Sequence, residues 1–367
     1  MNIGILLPGF SGDENDWALP VQQHLARELA KTDDVRILAL RYPFRRDRYI
    51  VSGAQVTSLG AGSYASGIKR LRLWADALNT LRNLHAEKPF DVLHAMWADE
   101  TGLIGAWAGR LLGVPSVVSI LGGELVGLRD IGYGLQLSAF SRWIVGQALR
   151  SDTVISASRY VDTLIAGAGY RRTGRIVRGT LGVDTELFKP DGTIPDPRRI
   201  INVASLVPVK DQATLLRAVA RLDDVTLDIV GVGTEEGRLR ALAADLGIAA
   251  RVNFIGAVKH TDLPAYYRRA ALKVLTSRHE ILAMATLEAA ACGVPVVSTN
   301  VGTLPDHPDI GVVVPVGDDA ALADAIRGLL DDEGRRVALG EGARGRVERK
   351  FSVQVTAAGL RELYENE

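Results

Sequence analysis

The chain has very little cysteine and no excess of charge of either sign. Its 367 residues include one cysteine, Cys292, so no disulfide can form within the chain, and a reducing cytoplasm is the expected compartment. Because Cys292 lies in an apolar segment, we expect a small core residue rather than a nucleophile. Lysine plus arginine and aspartate plus glutamate number 43 each, which excludes nucleic-acid binding driven by bulk charge.

Long apolar runs are also missing. No stretch approaches the roughly 18 apolar residues of a membrane-spanning helix, so any contact with a membrane would be peripheral, at its inner face. Hydrophobic residues make up 47% of the chain and charged residues 23%, which is typical of globular domains. A chain of this length exceeds one typical core, so two domains are expected.

Short apolar segments alternate with helical segments along the whole chain. This alternation predicts α/β domains with parallel sheets and helices on both faces. Two series of strands predict two doubly wound, Rossmann-like domains whose strand ends face a shared central cleft. The predicted strands are 3–7, 35–40, 91–95, 115–120, 153–156 and 175–178, then 200–204, 225–230, 252–255, 272–275, 294–298 and 311–314.

The segment SRHEILAMATLEAAACGVPVVSTNVG (277–302) is the most informative part of the chain. Glu288 lies in an otherwise almost wholly apolar run, where a carboxylate needs a polar partner. The run is typical of a helix that ends at Gly293. Free amides near 281–285 would bind an anion, with Glu280 just before them and Glu288 about two turns further on. A nucleotide-sugar diphosphate fits; a solvated Glu280 and a buried ion pair at Glu288 are the structural alternatives.

This segment resembles the donor site of the retaining glycosyltransferases of family four, which have the GT-B architecture. The resemblance implies that Glu280 lies by the donor sugar in the catalytic site. It implies that Glu288 hydrogen-bonds the nucleotide ribose. It also implies that the backbone of Ile281, Leu282 and Ala283 holds the diphosphate, at positions where the family usually has Gly-Phe-Gly or Gly-Phe-Pro.

Other donor-side residues are predicted in the same domain. Lys210, in VASLVPVKDQATLLRA (203–218), lies at a helix start, where a cation is disfavoured unless an anion is near. The resemblance implies that it contacts the donor diphosphate; a solvated surface lysine is the alternative. Ser205 stands where the family commonly has an arginine. Gly256 and Val258 match the family region that faces the nucleotide base.

The domain boundaries follow from composition and from the resemblance. TIPDPRR (193–199) has two prolines between the two series of strands and is interpreted as the linker. The acceptor-side domain is therefore predicted at 1–192 and the donor domain at 200–348. The final segment, 349–367, resembles the last helix of GT-B enzymes, which crosses back to the first domain.

Two residues of the first domain lie where a cleft is expected. Gly12, in the loop after the opening strand, would let backbone amides approach a donor phosphate; a plain tight turn is the alternative. His94 lies near the carboxyl end of a predicted strand. It matches the first histidine of the family's frequent His-Ala-His segment, so we predict it in the catalytic site, with a satisfied core histidine as the alternative.

Acceptor contacts are predicted from two further segments. The family often has His-Gly and an acid after the strand 115–120; here Leu121 replaces the histidine, and Glu124 is assigned to the acceptor hydroxyls. In RYPFRRDRY (41–49), Arg45 and Arg46 are assigned to an anionic or lipid-linked acceptor or to acidic headgroups. A solvated loop is the default alternative for this segment.

The resemblance implies a retaining hexosyltransferase. The donor would be a UDP-, GDP- or ADP-linked sugar, and the acceptor a hydroxyl of a glycan, a lipid or a small molecule. No cofactor and no metal are expected, because GT-B enzymes generally need none and no carboxylate cluster suggests a metal site. The alternatives are a non-catalytic scaffold, favoured by the departures at Leu121, Ser205 and 281–283, and a nucleotide-sugar epimerase of the same architecture.

Overall fold

The chain forms two compact units in a computed structural model. The first unit contains Met1–Gly182 and Val353–Glu367, and the second contains Val183–Ser352. The residues that the structure describes are 1–16, 18–62, 67–171 and 174–367.

The division between the units differs from the predicted boundaries. It falls after Gly182, because Val183 and Phe188 are buried in the core of the second unit. Residues 196–199 of the predicted linker belong to the first strand of that unit. The prolines there are compatible with a strand, since Pro197 lies near the strand's start, where a missing amide costs little.

The first unit is built on an eight-stranded sheet. The strand order is β3-β4-β2-β1-β5-β6-β7-β8, and all neighbours are parallel except β3 and β4. Its strands are β1 (Asn2–Gly9), β2 (Asp34–Tyr42), β3 (Asp47–Val51), β4 (Ala54–Ser58), β5 (Val92–Ala95), β6 (Ser116–Ser119), β7 (Thr153–Ser156) and β8 (Arg175–Arg178). Its helices are α1 (Pro20–Leu29), α2 (Ile68–Glu87), α3 (Glu100–Leu112), α4 (Ala139–Ala148), α5 (Arg159–Gly167) and, from the end of the chain, α12 (Val353–Glu365).

The second unit is built on a six-stranded parallel sheet with the order β11-β10-β9-β12-β13-β14. The order reverses between β9 and β12, and in such sheets ligands bind outside the carboxyl ends of the strands at this point. The strands are β9 (Asp196–Val203), β10 (Thr226–Val230), β11 (Val252–Gly256), β12 (Ala270–Leu275), β13 (Val296–Thr299) and β14 (Gly311–Val314). The helices are α6 (Gln212–Ala220), α7 (Glu236–Asp245), α8 (Leu263–Arg269), α9 (Met284–Ala291), α10 (Asp319–Leu330) and α11 (Glu333–Lys350).

Two apolar clusters cover the second sheet. Ile200 belongs to one cluster and Ile201 to the other, because successive side chains of a strand point to opposite faces. Both residues are fully buried. This two-sided burial explains why the strands of this unit read as short, nearly continuous apolar runs.

All twelve predicted strands are confirmed, but the prediction of a loop over 41–49 is wrong. That segment contains the end of β2 and the start of β3, which pairs with β4 in an antiparallel hairpin. Ser52 and Gly53, both with positive φ, form the two-residue turn. The hairpin was missed because β3 is mostly exposed and lacks an alternating apolar pattern.

Candidate donor site

The loop between β12 and α9 creates a cluster of free backbone amides. The helix begins at Met284, and Ala283 before it is left-handed, with φ 52° and ψ 56°. Within the described part of the chain, the amides of residues 281–285 donate no hydrogen bond. Four N-terminal amides of any helix lack internal acceptors, so this turn presents an anion-binding surface.

The side chains of this loop are not part of that surface. Ile281 and Leu282 are 2% and 5% exposed, so they anchor the loop in the core and leave the backbone to face the site. The Leu282 carbonyl accepts a hydrogen bond of 3.1 Å from the Thr303 hydroxyl. Gly302 lies against Glu280, where an added Cβ would lie 3.2 Å from the Glu280 Cβ. The loop between β12 and α9 is thus held by the segment that follows β13.

Glu280 and Lys210 form an ion pair beside the free amides. The Lys210 Nζ lies 2.5 Å from the Glu280 Oε1, and the Ser277 hydroxyl donates to the same oxygen at 2.7 Å. Burial raises the pKa of Glu280, but the Lys210 charge and the two hydrogen bonds outweigh it and hold that pKa below its ordinary value. Glu280 is therefore an anion, suited to accept hydroxyl donors rather than to give up a proton.

Lys210 reaches this position because the loop after β9 is tied to the loop after β12. The Thr276 hydroxyl donates to the Lys210 carbonyl at 2.9 Å, and the Arg278 amide donates to the Val209 carbonyl at 2.8 Å. β9 and β12 are neighbours in the sheet. The pair therefore lies where the strand order reverses, the expected ligand position of a doubly wound sheet.

Glu288 is buried in α9 and held by two side chains. Its Oε1 lies 2.9 Å from the His260 Nε2, and its Oε2 accepts a hydrogen bond of 3.0 Å from the Tyr267 hydroxyl. This is the buried pair that the sequence left open as the structural alternative. Neither His260 nor Tyr267 was found from the sequence, because they come from another loop and from α8, at a spacing that carries no local signal.

Gly256 and Val258 lie on the segment that leads to His260. Gly256 ends β11 with φ 81°, and its carbonyl accepts a hydrogen bond of 2.8 Å from the Gly231 amide. Val258 is partly buried against the core that includes Leu287 and Tyr267. The predicted base-facing segment is therefore continuous with the partners of Glu288.

The residues predicted in the first unit are bound to other parts of that unit. The Gly12 amide donates to the Asp16 carboxylate at 2.6 Å, so the amide assigned to a phosphate already has an acceptor. The Arg45 guanidinium donates to the Gly12 carbonyl at 3.1 Å, and Arg46 is paired with Asp76. This arrangement favours the plain turn that was the alternative at Gly12.

His94 has no exposed surface and both of its ring nitrogens have partners. Nδ1 lies 2.6 Å from the Tyr364 hydroxyl and Nε2 lies 2.8 Å from the Ser119 hydroxyl. Complete burial lowers the pKa of His94 to about 3, so the ring is neutral. This arrangement favours the satisfied core histidine over the predicted catalytic one, since His94 joins β5 and β6 to α12.

Glu124 also faces inward rather than toward an acceptor. Its carboxylate accepts hydrogen bonds from the amides of Leu121 at 3.0 Å, Gly122 at 2.6 Å and Ala98 at 3.3 Å. Burial raises the pKa of Glu124 despite these amides. These backbone donors favour a role for Glu124 in shaping the loop after β6, and its assignment to the acceptor stays a prediction.

Comparison with known proteins agrees with this geometry. The family described as "Glycosyl transferases group 1" matches residues 183–346, and the "Glycosyl transferase 4-like domain" matches residues 20–178. D-inositol 3-phosphate glycosyltransferase 1 of Catenulispora acidiphila is 34% identical over 71% of this chain and 68% of its own. The chain belongs to glycosyltransferase family four.

Further relatives and solved structures bear on relationship and fold. A GDP-mannose-dependent phosphatidylinositol monomannoside mannosyltransferase of Mycobacterium tuberculosis is 35% identical over 49% of this chain and 53% of its own. Sucrose-phosphate synthase of Thermosynechococcus elongatus superimposes with a TM-score of 0.85 at 22% identity, covering 100% of this chain and 98% of that one. Anabaena HepE in complex with UDP-glucose superimposes with a TM-score of 0.77 at 18% identity, and the superposition covers 100% of both chains.

The predicted GT-B class, with two Rossmann-like α/β domains, is therefore confirmed. As a glycosyltransferase of this family, the protein transfers a sugar from a nucleotide sugar. Among residues 1–16, 18–62, 67–171 and 174–367, no helix is long and apolar enough to cross a membrane. Over the same residues there is no group of three His, Cys, Asp or Glu placed to hold a metal ion; metal independence stays a prediction.

Proposed function

We propose that the protein is a retaining, metal-independent hexosyltransferase that uses a nucleoside-diphosphate sugar. The observation that carries the proposal is the Glu280–Lys210 pair beside the free amides of residues 281–285. The amides and Lys210 supply positive charge where a departing diphosphate gains negative charge. Glu280, an anion beside them, accepts hydroxyl groups of the sugar.

The family resemblance implies a reaction with retention, and this placement of charge supports it. The bond between the anomeric carbon and the diphosphate oxygen breaks, and a new bond forms to the acceptor oxygen on the same face of the sugar. The acceptor proton passes to the departing phosphate oxygen. Lys210 exchanges its contact with Glu280 for the diphosphate, so the positive charge that serves the leaving group is already in place before donor arrives.

Glu288 would position the nucleotide through its ribose. Since both carboxylate oxygens have protein partners in this structure, a ribose hydroxyl would share one of them as a further donor, because a carboxylate has about four acceptor sites. His260 and Tyr267 would then fix the orientation of the carboxylate. The segment Gly256–Val258 would contribute to the pocket for the base.

A nucleotide panel tests the donor assignment. UDP, GDP and ADP are titrated calorimetrically against the wild type and Glu288→Ala. We expect one diphosphate to bind and the variant to bind it more weakly. Binding of none of the three, or equal binding by both proteins, would contradict the assignment. The panel also addresses the scaffold alternative, because an active enzyme should bind one of the nucleoside diphosphates, whereas binding of none would favour a non-catalytic scaffold.

Labelled nucleotide sugars separate transfer from the epimerase alternative. Each donor is incubated with and without acceptor mixtures of glycans, lipids and small polyols, and the products are resolved by chromatography. Transfer requires acceptor-dependent product that keeps the donor's anomeric configuration. Free sugar or an epimer formed at the same rate without acceptor would instead favour the epimerase.

We also propose that the first unit makes peripheral contact with an anionic membrane surface. Trp74 stacks on Phe140 and on Trp143, with ring centroids 6.4 Å and 6.3 Å apart. Phe140 and Trp143 are 45% and 44% exposed, and Ile68 and Leu71 of α2 are 68% and 60% exposed. Clustered aromatic rings of this kind are typical of membrane interfaces.

The charge around this aromatic patch complements anionic lipid. Residues 68–86 contain four Lys or Arg and one Asp, and residues 126–150 contain three Arg and one Asp. Each basic residue near an anionic surface contributes about 1 kcal/mol. A lipid-linked acceptor would be reached at such a surface.

Vesicle co-sedimentation tests the membrane contact. We expect binding to phosphatidylcholine vesicles that contain phosphatidylglycerol and loss of binding in Phe140→Ser/Trp143→Ser. Ile176→Ser is the matched control, because Ile176 is 39% exposed on β8, an edge strand of the sheet. The assignment would be contradicted if the double variant still bound vesicles. It would also be contradicted if the wild type were a dimer in solution and the double variant a monomer, since the patch would then be a dimer interface.

A further inference from the structure

The second unit contains a lysine at the centre of its sheet. Lys273 belongs to β12, which lies between β9 and β13, and it is paired in register with Ile201 and Val296. It has no exposed surface and is among the largest fully buried side chains. Within the described residues, its ammonium group donates one hydrogen bond, from Nζ to the Thr286 hydroxyl at 2.9 Å.

Stability alone does not account for this lysine. Removing an ammonium group from water costs several kcal/mol, and a single neutral hydrogen bond returns about 1 kcal/mol. Within the described residues, Lys273 forms no ion pair. An apolar side chain of similar length would fill the same space without that cost, so the position calls for another explanation.

The ammonium group lies against the donor site. Thr286 is the third residue of α9, in the turn whose amides are free. The charged groups that act on Lys273 come from each neighbouring element: Glu280 from the loop after β12, Lys210 from the loop after β9, and Glu288 from α9, itself bound to His260 and to Tyr267 of α8. Glu280 and Lys210 neutralise each other in the empty site.

This chain lacks one of the cations expected at the diphosphate. Ser205 stands where the resemblance predicts an arginine, which leaves Lys210 as the cation of the loop after β9. Lys273 supplies a second positive charge from a different element. Its position explains how the site can hold a diphosphate without that arginine.

We propose that Lys273 is a positioning residue of the donor site, whose buried ammonium group, held by Thr286 behind the first turn of α9, attracts the diphosphate. The proposal rests on the proposed function, since it needs a diphosphate at residues 281–285. Lys273 acts through space from the sheet side of the helix, whereas Lys210 acts by direct contact.

A buried amine that becomes charged when the diphosphate binds makes binding depend on pH, which direct contact with Lys210 does not. Burial, together with the nearby Lys210 charge, lowers the pKa of Lys273 to about 7, although the negative charges of Glu280 and Glu288 raise it in part. The amine is therefore largely neutral at about pH 8 before a diphosphate binds. A bound diphosphate stabilises the charged form, so binding takes up a proton from solvent.

Calorimetry in several buffers measures this uptake. UDP, GDP and ADP are each titrated at about pH 8 in buffers of different ionisation enthalpy, because phosphate with a second pKa of about 6 is already fully ionised there. For the nucleotide that binds, we expect the enthalpy to vary with the buffer by up to one proton taken up. The dissociation constant should rise by up to tenfold per pH unit above about pH 7.

Two variants separate Lys273 from Lys210. Lys273→Met should bind more weakly at about pH 7, with no proton uptake and a flat pH dependence. Its Tm should rise, since a buried charge is removed, which also verifies that it is folded. Lys210→Met should bind more weakly at every pH. Because the Lys210 charge lowers the pKa of Lys273, its removal should shift the proton uptake to higher pH without abolishing it.

The outcomes distinguish this proposal from the proposed function. If none of the three nucleotides binds, the donor site is wrong and the role of Lys273 falls with it. If one binds and its enthalpy is the same in all buffers, or if Lys273→Met takes up the same proton, the donor site stands and the role of Lys273 is overturned.

Discussion

The two units share a doubly wound fold but use their buried charges in opposite ways. In the first unit, Glu100 is surrounded by three donors from two elements: Arg41 of β2, and Arg70 and Trp74 of α2. These contacts join β2, α2 and α3. In the second unit, Glu280, Lys210, Lys273 and Glu288 lie around one helix start whose amides are free.

The difference indicates where each unit can vary. The Glu100 contacts fix how β2, α2 and α3 pack, and within the described residues they lie beside no cluster of free amides comparable to that at 281–285. In the first unit, His94 and Glu124 follow this pattern although they lie at strand ends. In the second unit, the charges converge on backbone amides, and amide geometry does not depend on which side chains the loop carries. The free amides of the second unit are therefore present despite the departures at 281–283.

The largest expected effect is on the leaving-group cation. Lys210→Met should lower kcat/KM by roughly 100- to 1,000-fold, as expected for loss of one preorganised group that stabilises transition-state charge. Initial-rate kinetics with the donor that binds measure the effect. Lys189→Met is the matched control, because Lys189 forms an exposed pair with Glu186 in the same unit. A loss of less than tenfold would mean that the second unit's charges are structural, like those of the first.

A smaller effect is expected at Glu288, which contributes to both stability and binding. Glu288→Ala removes the acceptor of His260 and Tyr267 and should cost about 3 kcal/mol of unfolding free energy. Glu288→Gln keeps the shape and should cost less while still weakening nucleotide binding. Urea unfolding and calorimetry measure the two effects. If Glu288→Gln bound nucleotide as tightly as the wild type, Glu288 would belong with the packing charges of the first unit.

The third effect is on stability alone, in the first unit. Tyr364→Phe removes the hydroxyl partner of the His94 Nδ1 and should lower the unfolding free energy by about 1 kcal/mol, or Tm by roughly 2–4 °C, with kcat unchanged. Calorimetric melting and initial rates measure the two quantities. A fall in kcat with Tm unchanged would restore a catalytic role for this pair.

The neutral His94 also gives the first unit a pH dependence. Its pKa is about 3 in the folded protein and near 6.5 when unfolded, so the unfolded state binds more protons between these values. Stability is therefore lost as the pH falls from about 6.5 toward 3, by at most about 1.4 kcal/mol per pH unit. His94→Phe should reduce this slope in melting experiments over the same range.

The sequence predicted what depends on local pattern. The strands could be predicted because helices cover both faces of each sheet, so that the strands are short apolar runs. The donor-site positions of Glu280 and Lys210 could be predicted because short loops connect these residues to neighbouring strand ends. His260, Tyr267 and Lys273 were not predicted, because their role depends on which elements pack together around α9. At Gly12, His94 and Glu124 the structure shows protein partners instead, since a strand end places a residue near a site without deciding which way its side chain points.

The smallest expected effect concerns the departure at Ala283. With φ 52°, an alanine there has a left-handed conformation that costs about 1–2 kcal/mol relative to right-handed helix, a cost that glycine avoids. Ala283→Gly should therefore raise the unfolding free energy, by less than about 1 kcal/mol after the entropy that glycine loses on folding. Ala285→Gly, two residues later in the helix, is the matched control and should lower it by a similar amount. Urea unfolding of both variants measures the difference. If Ala283→Gly were as destabilised as the control, the left-handed turn would not form. The free amides, on which the contrast between the two units depends, would then be absent.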